Sequence, residues 1–169
     1  MNNKLTLHHM VSPLNYIQKI EIQDFMIKAS QGDLKSAMHG SQKAIKYAVN
    51  LKVDIINISG GGVEPNDQEK SAIESALNSG IRVVAAAGNE RSSLDHATYY
   101  PAMYDPRIIV VGNGKTEKDR APSSNWGSVV DYWVDGVNKR GEYGNAMTGT
   151  SQSTAIETGK LVKDYVQSR

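Results

Sequence analysis

Short, nearly continuous apolar runs recur along this chain of 169 residues and alternate with amphipathic segments. Such runs are typical of strands in a parallel sheet that is covered on both faces. They predict strands at residues 53–59, 81–87, 108–111 and 129–134, and a less regular run predicts an earlier strand at Ile17–Ile22. Because strands alternate with helices, we predict a three-layer α/β fold with helices on both faces of a mainly parallel sheet.

Two helices are predicted between these strands from apolar residues at helical spacing. Asp33 is expected to cap the first helix, which ends near Asn50. Asn66 or Asp67 is expected to cap the second, and Gly80 to end it. The residues expected to face inward are Leu34, Met38, Ser41, Ile45, Ala48 and Val49 in the first helix, and Ala72, Ile73, Ala76 and Leu77 in the second.

A third helix is predicted from Gln152 to Gln167. Its apolar stripe consists of Ala155, Gly159, Val162 and Val166. Its charged residues are Glu157, Lys160, Lys163 and Asp164. Since unpaired charges are expensive to bury, we expect the charged side of this helix to face water.

Composition narrows the class of protein only in part. Hydrophobic residues make up 39% of the chain and charged residues 22%, as in ordinary globular domains. We expect residues 1–10 to be a flexible N-terminus and residues 11–169 to form one domain. A net charge of +1 gives no electrostatic reason to expect nucleic acid or a membrane surface as a partner.

Targeting and cofactor signals are equally sparse. No apolar run approaches the roughly 20 residues of a membrane span, and the N-terminus lacks the apolar core of a secretory signal, so we expect a cytoplasmic protein. The absence of cysteine excludes disulfides and thiol chemistry. We expect no cofactor and assign no metal site, because Asp105, Asp131 and Asp135 are scattered and are interpreted as turn or surface residues.

Candidate chemistry lies in three glycine-containing segments, Ser59–Gly62, Gly88–Glu90 and Gly149–Ser151. All three map beyond the carboxyl ends of the strands, where ligands gather in open α/β sheets. A hydroxyl after a tight turn at Gly149 would start a helix, where positive partial charge favours chemistry that builds negative charge. The plainer interpretation is that Thr150 or Ser151 caps the helix. Asn89 likewise either donates to an oxyanion or bonds its own turn.

Five segments together resemble the subtilisin-like serine proteases, the subtilases. They are V-S-P at 11–13, D-I-I-N-I-S-G-G-G at 54–62, V-V-A-A-A-G-N-E at 83–90, Y-P-A at 100–102 and G-T-S-Q-S-T-A at 149–155. They follow the family's order and nearly its spacing. The resemblance implies a truncated subtilisin-like fold and hydrolysis of peptide bonds in a peptide or protein substrate.

The resemblance also assigns roles to individual residues. Ser151 matches the nucleophile and Asn89 the donor to the oxyanion. Ser59, Gly60 and Gly61 match the strand that pairs with the substrate backbone. Ala87 and Gly88 match the wall of the pocket for the residue before the scissile bond. Residues 123–127 resemble a structural turn of the family.

The aspartate and histidine of the catalytic triad have no match in this sequence. Subtilases carry them in D-[ST]-G and H-G-T-H motifs, and V-S-P matches the segment that follows the histidine helix. The histidines of this chain, His8, His9, His39 and His96, are interpreted as solvated residues. A serine hydroxyl without a base is a weak nucleophile. We therefore expect a peptidase that is inactive or depends on a partner supplying both residues.

Two alternatives remain open at this stage. The chain could be a non-catalytic peptide-binding or regulatory pseudoprotease that uses the Ser59–Gly61 edge, or an eroded gene product. The sheet poses a related question, because the family's aspartate strand lies between the strands that match Ile17–Ile22 and 53–59. Either the first strand pairs directly across the gap, or a second chain or self-association fills it.

Overall fold

The computed structural model describes residues 19–21, 34–140 and 146–168. In chain order the strands are β1 (Lys19–Glu21), β2 (Ile55–Ile58), β3 (Arg82–Ala86), β4 (Ile109–Asn113), β5 (Tyr132–Val134), β6 (Lys139–Arg140) and β7 (Ala146–Met147). The helices are α1 (Leu34–Asn50), α2 (Asp67–Asn78) and α3 (Thr150–Gln167). Within the described ranges, no helix is both long enough and apolar enough to cross a membrane.

Strands β1 to β5 form one sheet in their sequence order, and every neighbouring pair is parallel. β1 pairs directly with β2, with Lys19 opposite Ile55 and Glu21 opposite Asn57. The first of the two alternatives for the sheet is therefore the observed one. The remainder of the predicted first strand lies outside the described residues, as do residues 1–10.

Alternate strand residues face opposite sides of the sheet and build two cores. Ile56 and Val83 pack with α1 and α2 on one face. Ile55, Val84 and Val111 form the other core, against which Ile156 of α3 packs. The predicted three-layer α/β architecture with a parallel sheet is confirmed.

Several element boundaries differ from the prediction. Val129 and Val130 pack against the core, but the Val130 N–H donates to the Gly127 carbonyl in a turn, so the last strand of the sheet begins only at Tyr132. Val53 is buried, but its N–H donates to Ala48 at the end of α1. Burial without strand pairing explains both differences, because an apolar run predicts burial more directly than it predicts hydrogen bonding.

The predicted start and end of α2 are confirmed. Asn66 is the cap, since its Oδ1 accepts hydrogen bonds from the N–H groups of Gln68 (2.9 Å) and Glu69 (3.0 Å). Gly80 follows the helix with a φ of 80°, a conformation that suits glycine, and its N–H donates to Leu77. For α1, Ser41, Ile45 and Ala48 are buried as predicted, whereas Asp33 and the Leu34 and Met38 side chains lie outside the description.

The apolar stripe of α3 is only partly its packed face. Val162 packs against the second core and Ala155 is half-buried, whereas Gly159 and Val166 are exposed. The fully buried residues are Thr150, Ser153, Thr154, Glu157 and Thr158. Three of these hydroxyls, those of Ser153, Thr154 and Thr158, bond main-chain carbonyls, as Thr154 does with Thr150 (2.7 Å) and Ser153 does with Val134 (2.7 Å). Glu157, expected in water, is buried with its carboxylate 2.9 Å from Lys160 Nζ. Lys160, Lys163 and Asp164 are exposed as expected.

Candidate active site

The loop after β2, the loop after β3 and the segment that leads into α3 meet where α3 begins. The loop after β2 contributes Ser59, and the loop after β3 contributes Asn89. Ser151 Oγ donates to the Ser59 carbonyl at 2.6 Å, and Ser59 Oγ donates to the Ser151 carbonyl at 3.2 Å. The Thr150 N–H donates to Asn89 Oδ1 at 3.0 Å. The structure thus brings together the residues that the sequence singled out, at the carboxyl edge of the sheet.

Asn89 takes the place of a side-chain cap at the start of α3. Gly149 precedes the helix with a φ of 164°, which is extended backbone, and it makes no side-chain cap bond. The predictions of a tight turn at Gly149 and a cap from Thr150 or Ser151 were wrong, because both hydroxyl residues already lie inside the helix and a cap must precede it. The cap-like acceptor comes instead from a distant loop.

The amide of Asn89 has a defined orientation. Its oxygen must be the atom that faces Thr150, since the Thr150 N–H is a donor. The side chain is exposed, and no hydrogen bond within the described residues engages its Nδ2 group. It does not bond its own turn, which was the alternative role for this residue. Its N–H donors are therefore available on the open side of the helix start.

Ser59 Oγ lies at the end of a buried chain of hydrogen bonds that includes Asn57 and Thr158. Asn57 is fully buried, and its Nδ2 donates to Ser59 Oγ at 2.8 Å. Thr158 Oγ1 of α3 lies 2.8 Å from Asn57 Oδ1 and donates to it. These bonds tie the end of β2 to the middle of α3. Two contacts of α3 therefore fix the position of Ser151: its own contact with Ser59, and the contact of Thr158 with Asn57.

Asn125 holds the loop that carries Asn89. Its Oδ1 accepts from the N–H groups of Glu90 and Ser92, both at 3.0 Å, and its Nδ2 donates to the Ala87 carbonyl at 2.8 Å and to Glu90 Oε2 at 2.7 Å. The hydrogen bonds of its side chain all go to this loop, and the residue is 1% exposed. Residues 123–127 were expected to form only a structural turn, and the asparagine inside that turn is the one sequence signal for this role.

The segment predicted to pair with a substrate backbone is arranged around tyrosines. Ser59 is buried, Gly60 half-buried and Gly61 exposed. A Cβ on Gly61 would collide with the Tyr100 carbonyl, so the glycine permits the close approach that was predicted. The backbone that approaches there belongs to this chain. The next residue, Gly62, exchanges two main-chain hydrogen bonds with Tyr100, at 2.8 and 2.7 Å.

The predicted pocket wall is buried. Ala87 is fully buried, and Gly88 has a φ of 98°, which strongly favours glycine. A Cβ on Gly88 would collide with Asn125 Nδ2 and Glu90 Oε2 and would lie 2.8 Å from Tyr99 Cε2. Tyr99 was not singled out from the sequence. Burial, with a smaller contribution from the Glu90 carboxylate, raises the pKa of Tyr99 and keeps its phenol neutral.

Among the histidines, the side chain of His96 is the one that the structure describes, and it makes no hydrogen bond to Ser151. His96 is exposed in a loop, as predicted, and His39 belongs to α1. His8 and His9 lie outside the described residues. Asp105, Asp131 and Asp135 each accept a hydrogen bond from a main-chain N–H, that of Arg107, Val110 and Val137 respectively. These contacts agree with their interpretation as turn and surface residues.

Comparison with known proteins identifies the family. The profile of the subtilase family, peptidase S8, matches residues 21–163. The chain belongs to the subtilase family. Among curated subtilases, it is 40% identical over 121 residues to subtilisin amylosacchariticus of Bacillus subtilis subsp. amylosacchariticus, covering 68% of this chain and 31% of that protein. It is 35% identical over 130 residues to the major intracellular serine protease of Bacillus subtilis, covering 72% of this chain and 40% of the relative.

Solved subtilase structures resemble the fold as well. A cold-adapted subtilisin-like serine proteinase superposes with a TM-score of 0.67 at 24% identity, over 83% of this chain and 50% of that one. The self-cleaved protease domain of PatA gives a TM-score of 0.60 at 28% identity, over 70% and 47% of the two chains. The present chain spans half or less of the length of each of these four relatives.

Proposed function

We propose that this chain is the serine-bearing part of a subtilisin-type peptidase, with Ser151 as nucleophile and Asn89 as donor to the oxyanion. The observation that carries the proposal is the 3.0 Å hydrogen bond from the Thr150 N–H to Asn89 Oδ1. It holds the carboxamide beside the serine and leaves the Nδ2 donors for a developing negative charge. Removing one such donor typically costs about 3 kcal/mol of transition-state stabilisation.

The hydroxyl of Ser151 needs a base that the described site does not provide. It donates to the Ser59 carbonyl at 2.6 Å, and a main-chain carbonyl cannot take up the proton of an attacking alcohol. Subtilisin-type sites without their triad retain roughly 10³ to 10⁴ over the reaction in water. We propose that this chain is close to inactive by itself, and that a polypeptide segment carrying D-[ST]-G and H-G-T-H supplies the aspartate and histidine.

The sheet offers a place for such a segment. The described part of β1, Lys19–Glu21, lies parallel to β2 and pairs with it at three residues. In the family, the aspartate strand lies beside the strand that matches β2. We propose that the incoming segment, from a second polypeptide or another part of the protein, takes the place of β1 along β2.

A fluorophosphonate probe tests this proposal, because it reacts with a serine only when the hydroxyl is activated. Three samples are compared: the chain alone, the chain with a subtilase segment that carries both motifs, and the chain with the same segment lacking its histidine. We expect labelling of Ser151, located by mass spectrometry, only in the second sample, and none in Ser151→Ala. Absence of labelling in all samples would contradict the proposal; equal labelling of the chain alone would contradict its dependence on a partner.

A second candidate function is non-catalytic peptide binding along Ser59–Gly61. It is favoured by the reciprocal hydrogen bonds of Ser151 and Ser59, which occupy the hydroxyl of the candidate nucleophile. Peptide affinity that is unchanged in Ser151→Ala, together with no fluorophosphonate labelling, would support it. No measurable binding of any peptide would count against it.

A further inference from the structure

Tyr99 lies between the two segments predicted to contact a substrate. A Cβ on Gly61 would be 2.6 Å from Tyr99 Cε1, and a Cβ on Gly88 would be 2.8 Å from Tyr99 Cε2. Cε1 and Cε2 are opposite edges of one phenol ring. The ring therefore fills the space between the Ser59–Gly61 segment and the Ala87–Gly88 segment, and it is 6% exposed.

The ring is held in this space from several sides. The following residue, Tyr100, is fixed to Gly62 by two main-chain hydrogen bonds. The Tyr99 N–H donates to Met103 Sδ at 3.4 Å. Asn125 Nδ2 and Glu90 Oε2, joined at 2.7 Å, lie with Tyr99 Cε2 around the position that a Cβ on Gly88 would take. A closely packed aromatic ring of this kind does not move aside for a bound side chain without loss of packing.

We propose that Tyr99 is a specificity-determining residue that restricts the side chain before the scissile bond to glycine or alanine. The inference rests on the proposed function, which places a peptide between the same two segments. A larger side chain would have to enter space that the ring already occupies. The wall formed by Ala87 and Gly88 then contacts Tyr99 rather than the substrate.

Peptide boronic acids test this inference without a catalytic base. The serine oxygen adds to trigonal boron, a B–O bond forms, the hydroxyl proton passes to water, and the product is a tetrahedral boronate anion. Three acids that differ only at the residue bearing boron, as analogues of alanine, valine and phenylalanine, are titrated into the chain and followed by ¹¹B NMR. We expect the alanine analogue to bind, and the phenylalanine analogue to bind more weakly by roughly tenfold or more.

Two variants test whether the Tyr99 ring itself excludes a large side chain, or whether the packing of the surrounding region does. Tyr99→Gly should bind the phenylalanine analogue at least as tightly as the alanine analogue, whereas Tyr99→Phe keeps the ring and should retain the preference of the parent chain. Retained preference in a folded Tyr99→Gly, checked by far-UV circular dichroism, would overturn the inference.

The parent chain alone also decides the question if Tyr99→Gly does not fold. Equal affinity of that chain for the alanine and phenylalanine analogues would overturn the role of Tyr99 while leaving the proposed nucleophile intact. Binding of no boronate even with the subtilase segment that carries both motifs present, with Ser151→Ala indistinguishable from the parent chain, would instead overturn the proposed function and the inference with it.

Discussion

Ser151 and Ser59 are joined by two reciprocal hydrogen bonds, each hydroxyl donating to the carbonyl oxygen of the other residue, at 2.6 Å and 3.2 Å. The pair connects the first turn of α3 to the end of β2, 92 residues apart in sequence. The contact gives Ser151 a fixed position before any substrate or base is present. It also means that the hydroxyl must exchange its carbonyl partner for a base before it can react.

Of these two residues, the buried Ser59 should contribute more to the free energy of unfolding than the half-buried Ser151. Ser59→Ala leaves Asn57 Nδ2, a buried donor, without the partner it has at 2.8 Å, so we expect a loss of about 1–3 kcal/mol in the free energy of unfolding. Ser151→Ala removes one bond at a half-buried position and should cost about 0.5–1.5 kcal/mol. Urea unfolding of both variants measures the difference. A larger loss in Ser151→Ala would show that Asn57 finds another partner.

The two ends of the Asn89 amide should have separable roles. Asn89→Asp keeps an acceptor for the Thr150 N–H and places negative charge at the start of a helix, so stability should be maintained. It removes the Nδ2 donors, so fluorophosphonate labelling in the complemented sample should fall by roughly 10²–10³-fold.

Asn89→Ala is the matched variant, since it loses acceptor and donors together. It should lower labelling to a similar extent and also destabilise the chain by about 1 kcal/mol in urea unfolding. Undiminished labelling of a folded Asn89→Asp would remove Asn89 from the oxyanion site.

Much of the architecture could be predicted because it depends on local patterns. Buried runs such as 81–87 are nearly all apolar, and a parallel strand covered on both faces requires that composition. The cap at Asn66 depends on residues two and three positions away. The assembly of Ser59, Asn89 and Ser151 at one edge followed from the rule that the carboxyl ends of parallel strands share an edge.

The remainder depends on contacts between distant residues. The buried side of α3 could not be predicted from apolar spacing, because Thr154 and Thr158 satisfy their hydroxyls on carbonyls of their own helix. Asn125 acts on a loop 35 residues away. Tyr99 occupies space between two segments whose separation no local pattern specifies. In each case the sequence shows the residue type, and only the three-dimensional contact shows its use.

Two threonines of α3 provide a direct test of its buried polar side. Thr158 Oγ1 lies 2.8 Å from both Asn57 Oδ1 and the Thr154 carbonyl, and its single proton is shared between these acceptors. Thr158→Val leaves the buried Asn57 Oδ1 without this donor and should cost about 1–3 kcal/mol in the free energy of unfolding. Thr150 Oγ1 is buried without a hydrogen-bond partner among the described residues. Thr150→Val should therefore be neutral or slightly stabilising. Comparable losses in both variants would indicate that shape rather than hydrogen bonding decides the fit of this helix.

Glu69 should make the stability depend on pH in the direction opposite to that of most carboxylates. Burial raises its pKa above the ordinary 4.5, against the lowering effect of hydrogen bonds with Ser41 and Tyr104. The folded state therefore binds the proton more tightly than the unfolded state, and stability falls as pH rises from 4.5 through the folded pKa. Glu69→Gln should be more stable than the parent at pH 7 and equal to it below pH 4.5. Glu74→Gln in α2, where the side chain is 43% exposed, is the control; a crossover of the same size there would contradict the assignment to Glu69.

Asp105 should show the reverse dependence. Hydrogen bonds from the Arg107 side chain, then from its main-chain N–H, lower the pKa of Asp105 from 3.8 to about 2. The folded state holds this proton more weakly than the unfolded state, so the stabilisation is present above pH 3.8 and is lost as pH falls to about 2. Asp105→Asn should lower the urea midpoint at pH 7, and its difference from the parent should shrink between pH 4 and pH 2. Arg107→Gln removes the side-chain contacts and keeps the main-chain N–H bond, so Asp105→Asn introduced into Arg107→Gln should have a smaller effect at pH 7 than in the parent; an undiminished effect there would show that the Arg107 side chain is not the main source of the stabilisation.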